Sequence, residues 1–546
     1  MSNIERAPAA VQEANFSSGV AGASMGEGGE YGSIARRGGD AGKASVASSR
    51  VVAPDVLRGL ILALMSLDHA ALFMGAWLHG TPKQTESAAT VMMQWNFNAA
   101  YISRTLTHIC APGFFFLMGM GTVYLHRSRT RLGWSSARLA RHFGVRALAL
   151  TAVSEVMGWL LMRGRGALVI NIVLIGLAVD YLLTGLLCLL VQKTEKAAAV
   201  ALDRWQGDKQ QPERAPLLTD AGAGEEQRGQ DEAGERMASQ RAQTTAFWLH
   251  NALLGVLTYV TIFWNVWLSP THGHCSSVQA FSSASELANA EAVVLLVGTS
   301  AAGAAAGGAP SAPVSRWGAW FDFWFYPVQN SMVLSGFPPL GWISFCVLGM
   351  LYARIMLHKR WTPRATVAGN LAVATVLAAL FVATRLLHVG NLSEGCLRMA
   401  EHLAHPDRNQ YLASVKSFFY ITKYPPSPSF FALTMSVNFG LLALFSAIPA
   451  GVAKAIPGLM DYGGSALFFY VAHMFLYSLL SVPARYWFEH ELSDRPPNDW
   501  ERTRGLGDSA AFWITWLLGL AMLSPVCRAY GRFKAAQSTD SLWRFF

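Results

Sequence analysis

The chain has 546 residues, of which 52% are hydrophobic, 12% aromatic and only 14% charged, and its mean hydropathy is +0.29. Soluble domains carry about 25% charged residues, so this composition excludes a disordered chain and argues against a large soluble enzyme. The composition fits a multi-pass membrane protein with polar ends and loops. The net charge of +9 does not indicate a nucleic-acid partner, because long apolar runs separate the basic residues and cytoplasmic loops explain them better.

Apolar runs predict the transmembrane helices. A helix needs roughly 20 mostly apolar residues to cross a bilayer, and these runs are too long for the short alternating strands of a β-barrel. The predicted fold class is therefore all-α and polytopic, with about ten transmembrane helices, or eleven if residues 286–308 form one. The ten predicted spans are 53–78, 99–125, 142–163, 167–191, 246–268, 338–357, 366–388, 428–449, 461–482 and 509–526.

Polar segments divide the spans into two blocks. The predicted order is a disordered cytosolic tail (1–50), helices 1–4 (51–191), a disordered cytosolic loop (192–244), helices 5–10 (245–535) and a C-terminal tail (536–546). The two segments predicted to be disordered are rich in polar or small residues, which cannot bury a core. Residues 276–313, which are rich in alanine, serine and glycine, are predicted to form a low-complexity outer loop. We reject the eleventh helix, because it would reverse every downstream span and break the charge pattern described next.

Lysine and arginine in the loops predict the orientation. Basic loops at 126–146, 354–364 and 528–534 all fall on the side of the N-terminus, which places both termini in the cytosol. Arg163 and Arg165 fall on the other side and count against this orientation. The outer face then carries a glycosylation sequon at Asn391. It also carries Cys275 and Cys396, which are predicted either to form a disulfide or to remain unpaired.

Several ionisable residues lie inside the predicted spans. A charged side chain at the bilayer centre costs about 2.5–3.5 kcal/mol on the lenient insertion scale, so such residues are functional candidates by default. With the predicted orientation they all fall in the outer half of their helices, which predicts a polar chamber open to the non-cytosolic side. They are Asp68, His69, Arg104, His108, Glu155, Arg385, His388 and His473.

Each of these residues also has a structural interpretation. The side chains of Arg58 and Arg104 could extend toward the membrane surface, as long basic side chains do in membrane helices. Glu155 could form a structural ion pair with Arg104. His473 suits a hydrogen-bonded packing role. The pair at His272 and His274 has no further ligand at metal-binding spacing, so we expect no metal.

Six ordered segments cover the chain from about residue 51 to 535 apart from two insertions. The segments are Asp55-Val-Leu-Arg-Gly59 with Asp68-His69, Arg104-Thr-Leu-Thr-His-Ile-Cys-Ala-Pro-Gly-Phe114, Pro338-Pro-Leu-Gly-Trp342 with Leu348-Gly349, Lys423-Tyr-Pro-Pro-Ser427, Tyr462-Gly-Gly with Phe468-Phe-Tyr-Val-Ala-His473, and Ser524-Pro-Val-Cys-Arg528. Together they resemble the catalytic region of the heparan-α-glucosaminide N-acetyltransferase family, in particular its microbial and fungal branch. The order and spacing of the segments carry the resemblance, rather than any single motif.

The resemblance implies transfer of an acetyl group from cytosolic acetyl-CoA to an amine or hydroxyl, on a small-molecule or glycan acceptor, across the membrane. The animal enzyme uses a histidine just beyond an early span, and the nearest histidine here is His79. Asp68-His69 stands where the animal enzyme has a different polar pair. The chain has no obvious lumenal N-terminal domain, so a glycosaminoglycan acceptor is not implied. Membrane lipids are the expected surroundings, and the protein is expected to be either a monomer or a homodimer. A vacuolar or lysosome-like membrane and the plasma membrane are the two alternatives for its location.

Acyl transfer needs a base, and histidine, with an unperturbed pKa of about 6.5, suits that work. A carboxylate such as Asp68 or Glu155 is expected to fix its tautomer, and Arg104 to stabilise the oxyanion. The predicted catalytic residues are His69, His79, Asp68, His108 and Arg104. The predicted acetyl-CoA-binding residues are Arg58, Arg127, Arg129 and Arg131, and the predicted acceptor-binding residues are Lys423, Tyr424, His473, Glu155 and Arg385.

Two other functions fit the same residues. A proton-coupled transporter would use the Asp/His/Arg layer as a proton relay, although no internal repeat supports it. A scaffold that retained the fold without the chemistry is the third interpretation. Within the acetyltransferase hypothesis, a covalent acetyl-histidine and direct transfer are alternatives that the sequence does not separate.

Overall fold

The structure is a computed structural model. It describes residues 52–77, 97–161, 169–171, 173–210, 224–269, 272–274, 319–329, 333–395, 405, 407–449, 451–452, 456, 458–492, 503–537 and 543. Several predictions fall outside these residues. They concern the tail at 1–50, the loop at 276–313 with its rejected helix, the pairing of Cys275 with Cys396, and His79.

Helices dominate the first part of the chain. It forms α1 (Ala53–Met74), a π-helical turn (Phe97–Tyr101), α2 (Ile102–Thr107), α3 (Cys110–Arg131), α4 (Ser136–Leu161), β1 (Val169–Asn171), α5 (Leu174–Gln210) and α6 (Gly224–Trp267).

The second part has more short elements between its long helices. It forms α7 (Ala319–Phe325), β2 (Val328–Gln329), β3 (Val333–Ser335), a 3₁₀ turn (Pro339–Gly341), α8 (Ile343–His358), α9 (Pro363–Leu387), a 3₁₀ turn (Gln410–Leu412), α10 (Val415–Phe419), α11 (Pro428–Ala447), α12 (Leu459–Gly464), α13 (Ala466–Phe488), β4 (His490–Glu491), β5 (Arg504–Gly505) and α14 (Ala510–Ala536).

The prediction of an all-α, multi-pass membrane protein is confirmed. Within the described ranges, nine helical segments are long and apolar enough to cross a membrane. The predicted span at 338–357 corresponds to α8, which is apolar but only 16 residues long. The predicted span at 99–125 is not one continuous helix, because the chain there passes through the π-helical turn, α2 and α3 in succession.

The segment predicted to be a disordered loop, 192–244, differs from that prediction at both ends. Helix α5 continues to Gln210 and α6 begins at Gly224, and only 211–223 lies outside the described residues. Alanine, lysine and glutamate, which are good helix formers, continue α5 beyond its apolar part. Thr194 of α5 and His250 of α6 hold the two helices together, since their Oγ1 and Nε2 atoms are 3.0 Å apart.

Two small sheets join the loops. In the first, β3 pairs in parallel with β1 and antiparallel with β2, and in the second β4 pairs antiparallel with β5. Asn171 of β1 supports the first sheet, because its Nδ2 donates to Ser335 Oγ (3.0 Å) and Phe337 O (2.7 Å). Strands of two or three residues are too short for a periodicity in the sequence to reveal.

Glycines allow the helices that frame the site to pack with backbones in contact. A Cβ on Gly119 of α3 would lie 2.0 Å from the carbonyl oxygen of Cys346 in α8, and one on Gly59 of α1 would lie 2.0 Å from that of Leu459 in α12. Small residues at such crossings are typical of membrane helices. These contacts fix α3 against α8 and α1 against α12.

Candidate functional site

A break between α2 and α3 places His108 inside the protein. Pro112 has no N–H, and its ring would clash with the carbonyl group four residues earlier, so a regular helix cannot pass through His108. Helix α2 therefore ends at Thr107 and α3 begins at Cys110. Asn438 of α11 stabilises the break, because its Nδ2 donates to the carbonyl oxygen of Ile109 at 3.2 Å.

Asp68 and Arg104 form a buried ion pair between α1 and α2. The Asp68 carboxylate accepts a hydrogen bond from the Arg104 guanidinium, and the two residues are 9% and 3% exposed. Glu155 is not the partner of Arg104, so the predicted pair between them is wrong. Its Oε2 instead accepts from the backbone N–H of Ile170 in β1, at 3.4 Å.

His69 and His473 form a second polar pair, between α1 and α13. His69 Nδ1 lies 2.7 Å from His473 Nε2, and His473 Nδ1 lies 2.9 Å from the carbonyl oxygen of Phe469. A carbonyl oxygen can only accept, so His473 Nδ1 carries a proton. For two neutral rings, His473 Nε2 then accepts from His69 Nδ1–H, and the lone pair of His69 is on Nε2. His473, rather than the predicted carboxylate, therefore fixes the tautomer of His69.

His108 lies in a cluster of charged groups but bonds to none of them. The ring is 7% exposed, and neither nitrogen has a hydrogen-bond partner among the residues that the structure describes. Its ring centroid lies 5.6 Å from that of Phe430. The charges close enough to act on His108 are those of Arg104, Lys423 and Asp68.

Lys423 enters this cluster from the loop before α11. It is 5% exposed, and its Nζ lies 4.9 Å from the ring centre of Tyr424 and 5.7 Å from that of Phe337. Cation–π contacts of this kind satisfy an ammonium group only in part. No carboxylate in the described part of the chain forms an ion pair with Lys423.

Asn265 holds the loop of Lys423 in place. This residue of α6 is fully buried, and its Nδ2 donates to Gly341 O at 3.0 Å and to Pro426 O at 2.8 Å. It joins the 3₁₀ turn before α8 to the loop before α11. Asn265 is not among the residues predicted from the sequence, although a polar amide in an otherwise apolar span is a signal.

Arg385 lies in a different network. It is fully buried and donates to Asn391 Oδ1 (2.8 Å) and Tyr420 O (2.6 Å), with its guanidinium 4.4 Å from the ring centre of Tyr411. The same network includes Glu394, which accepts from Asn391 Nδ2 at 2.7 Å. These contacts give Arg385 a structural role in the loop after α9. They also bury the amide of the Asn391 sequon.

The arginines predicted to bind acetyl-CoA lie against different elements. Arg58 donates to Asp55 Oδ1 (3.0 Å) and to the carbonyl oxygen of Gly463 in α12 (3.3 Å). Arg127 donates to Leu357 O near the end of α8 at 2.8 Å. Arg129 lies over the ring of Trp134, 4.8 Å from its centre, and Arg131 is exposed.

Asp180 is a buried acid that the sequence analysis missed. It lies in α5, is fully buried, and within the described ranges neither carboxyl oxygen has a hydrogen-bond partner. Cys346 of α8 is close enough for the two groups to interact. The rule that identified the other intramembrane ionisable residues applies equally to this one.

Comparison with known proteins adds no identity. No protein-family model matches the chain, and no curated protein matches it. Among the described residues, no group of three histidine, cysteine, aspartate or glutamate side chains is arranged to hold a metal ion. The class that the fold defines is a multi-pass membrane protein with a buried Asp68–Arg104 pair beside a His69–His473 pair.

Proposed function

We propose that the protein is a membrane-embedded acetyltransferase that moves an acetyl group from cytosolic acetyl-CoA to an amine or hydroxyl of an acceptor on the opposite side of the membrane. The single observation that carries the proposal is the hydrogen-bonded series from His69 through His473 to the Phe469 carbonyl. It orients one histidine with a defined basic nitrogen inside a membrane bundle. The six ordered segments that resemble an acetyltransferase family support the same conclusion.

In this proposal His69 is the general base. Its Nε2 takes the proton of the acceptor while the acceptor oxygen or nitrogen attacks the thioester carbonyl. Collapse of the tetrahedral intermediate breaks the carbon–sulfur bond, and the proton on His69 passes to the departing thiolate to give CoA. His473 is a positioning residue, because its Nε2 holds His69 Nδ1–H throughout and stabilises the imidazolium.

Arg104 supplies positive potential for the oxyanion, and Asp68 fixes its guanidinium. A fixed cation that needs no reorganisation during the reaction is an effective way to stabilise developing negative charge. Lys423 and Tyr424 lie on the loop before α11 and contribute to acceptor binding. Glu155 and Arg385 have no part in this proposal, because their contacts lie elsewhere.

The test is acetyl-CoA binding by calorimetry and CoA release by a thiol assay on the detergent-purified full chain, with a panel of amine and hydroxyl acceptors. We expect saturable binding and acceptor-dependent CoA release that His69→Gln abolishes. His490→Gln, in the exposed strand β4, is the matched control and should keep full activity. A chain that neither binds nor hydrolyses acetyl-CoA would end the proposal.

One observation favours the second candidate, a proton-coupled transporter. Asp180 is buried in a membrane helix, and no hydrogen bond satisfies either oxygen in the described structure. An ionised carboxylate is costly in such a place, so the group is expected to carry a proton or meet a cation. Uptake into liposomes that follows a pH gradient and disappears with Asp180→Asn, while acetyl-CoA binding is absent, would favour the transporter.

A further inference from the structure

The buried charges around His108 do not balance. The same three charged residues act on His108 and on its neighbour Cys110: Arg104, Lys423 and Asp68. Asp68 is already paired with Arg104. These three side chains are two cations and one carboxylate, so together they carry one positive charge in excess.

The excess charge belongs to Lys423, and burial makes it costly. The residue is 5% exposed, and its ammonium group lies over the faces of two aromatic rings. Removing an ammonium ion from water without an anion is strongly unfavourable, and ring faces compensate for only part of that cost. An anionic ligand beside the ammonium group would remove this cost.

His108 is a second, independent sign of a missing ligand. It is more than nine-tenths buried, and both ring nitrogens are without a partner in the described part of the chain. A neutral imidazole always has one N–H to donate. Lys423 from the loop before α11 and His108 from the break between α2 and α3 therefore bring a buried ammonium group and an unpaired imidazole to one cluster.

We propose that Lys423 and His108 bind one carboxylate group of the acceptor. The inference rests on the proposed function, since it assigns the chemical class of that acceptor: a hydroxyl or amine compound, such as a sugar acid, that bears a single carboxylate. A singly charged anion neutralises the excess charge, whereas a phosphate dianion would reverse its sign. The carboxylate site adjoins the base, because Asp68 and His69 are consecutive in α1 and Asp68 binds Arg104, one helical turn before His108.

The experiment uses the detergent-purified full chain in chloride-free buffer and follows its melting temperature. The probes are methyl β-glucuronide and the uncharged methyl β-glucoside, which differ at the carboxylate. We expect a saturable stabilisation by the glucuronide and none by the glucoside at equal concentration. Equal stabilisation by both sugars would overturn the proposal. So would a saturable shift caused by sodium chloride over the same concentration range, because the site would then be a halide site.

Variants connect the effect to the site. Lys423→Met should weaken glucuronide binding at least tenfold and raise the melting temperature without ligand, because it removes the uncompensated charge. Lys416→Met, a lysine in the nearby helix α10, is the matched control and should bind as the wild type does. An undiminished response in Lys423→Met would overturn the assignment. If that variant does not fold, His108→Gln takes its place with the same expectation.

Acetyl-CoA binding is measured on the same preparation, so that the two proposals can fail separately. Glucuronide stabilisation without acetyl-CoA binding would retain the carboxylate site and end the acetyltransferase proposal. Acetyl-CoA binding with no preference for the charged sugar would retain the enzyme and end the carboxylate inference.

Discussion

His69 Nδ1 lies 2.7 Å from His473 Nε2, and His473 in turn binds the carbonyl oxygen of Phe469 in its own helix. The two histidines are 404 residues apart in the chain. The pair thus joins the first helix of the bundle to one of the last, and it sets which nitrogen of His69 is basic.

His473→Phe should keep the fold and impair the reaction. The substitution removes the acceptor that orients His69, and misplacing a reacting group by about 1 Å can cost about 100-fold in rate. We expect kcat for acceptor-dependent CoA release to fall by about that factor, with little change in the KM for acetyl-CoA. The measurement is a steady-state thiol assay. Unchanged turnover would show that His69 needs no orientation by His473.

Asp68→Asn should destabilise the protein. It leaves the Arg104 guanidinium buried without its carboxylate, and breaking a buried ion pair in this way costs about 3–5 kcal/mol. Thermal denaturation in detergent measures the loss. Asp461→Asn is the control, because its partner Arg528 is 53% exposed at the side chain and the pair is screened by water. A control variant as unstable as Asp68→Asn would contradict the argument.

Asn265→Leu should loosen the loop of Lys423. The two carbonyl groups that Asn265 satisfies would lose their donor, at about 1–3 kcal/mol for each buried group. Lower thermal stability and faster proteolysis before α11 are the expected results. Thr261→Val, one turn earlier in α6, is the control, because its hydroxyl bonds only within its own helix and its loss should matter little.

Two glycines of α3 should respond in opposite ways to alanine. Gly119→Ala would place a methyl group against the backbone of Cys346 in α8, whereas the space at Gly121 is open. We expect Gly119→Ala to lower the melting temperature and Gly121→Ala to leave it unchanged or raise it. The gain at Gly121 comes from the higher helix propensity of alanine, which is worth about 0.5–1 kcal/mol of stability. Similar melting temperatures for both variants would mean that α3 and α8 are not in backbone contact.

The cost of burying charge in a membrane made part of the site predictable from the sequence. This cost identified Asp68, Arg104, His108 and His473 as candidates. The structure brings all four together with His69. The prediction of one shared layer was too broad. Positions along the spans indicate depth in the bilayer, but they do not indicate where around the bundle a residue lies.

Arg385 illustrates this limit. It was grouped with the chamber by depth, yet it binds Asn391 and the loop after α9. Which carboxylate pairs with Arg104 was likewise a matter of helix packing: the sequence suggested Glu155 as one structural partner, whereas Asp68 forms the pair. Asn265 was not predicted because it is not ionisable, yet its buried amide holds two loops together.

The length of the fifth and sixth helices has a further consequence. At 1.5 Å per residue, the 37 residues of α5 and the 44 of α6 extend about 55 Å and 66 Å, while the hydrocarbon core is about 30 Å thick. Helices of this length that cross the bilayer perpendicular to its plane extend roughly 25 Å or more beyond the lipid. An antibody epitope or fluorescent reporter attached near Gln210 or Gly224 would stand clear of detergent and bilayer. Such a handle offers a means to orient this small membrane protein for single-particle imaging without touching its polar centre.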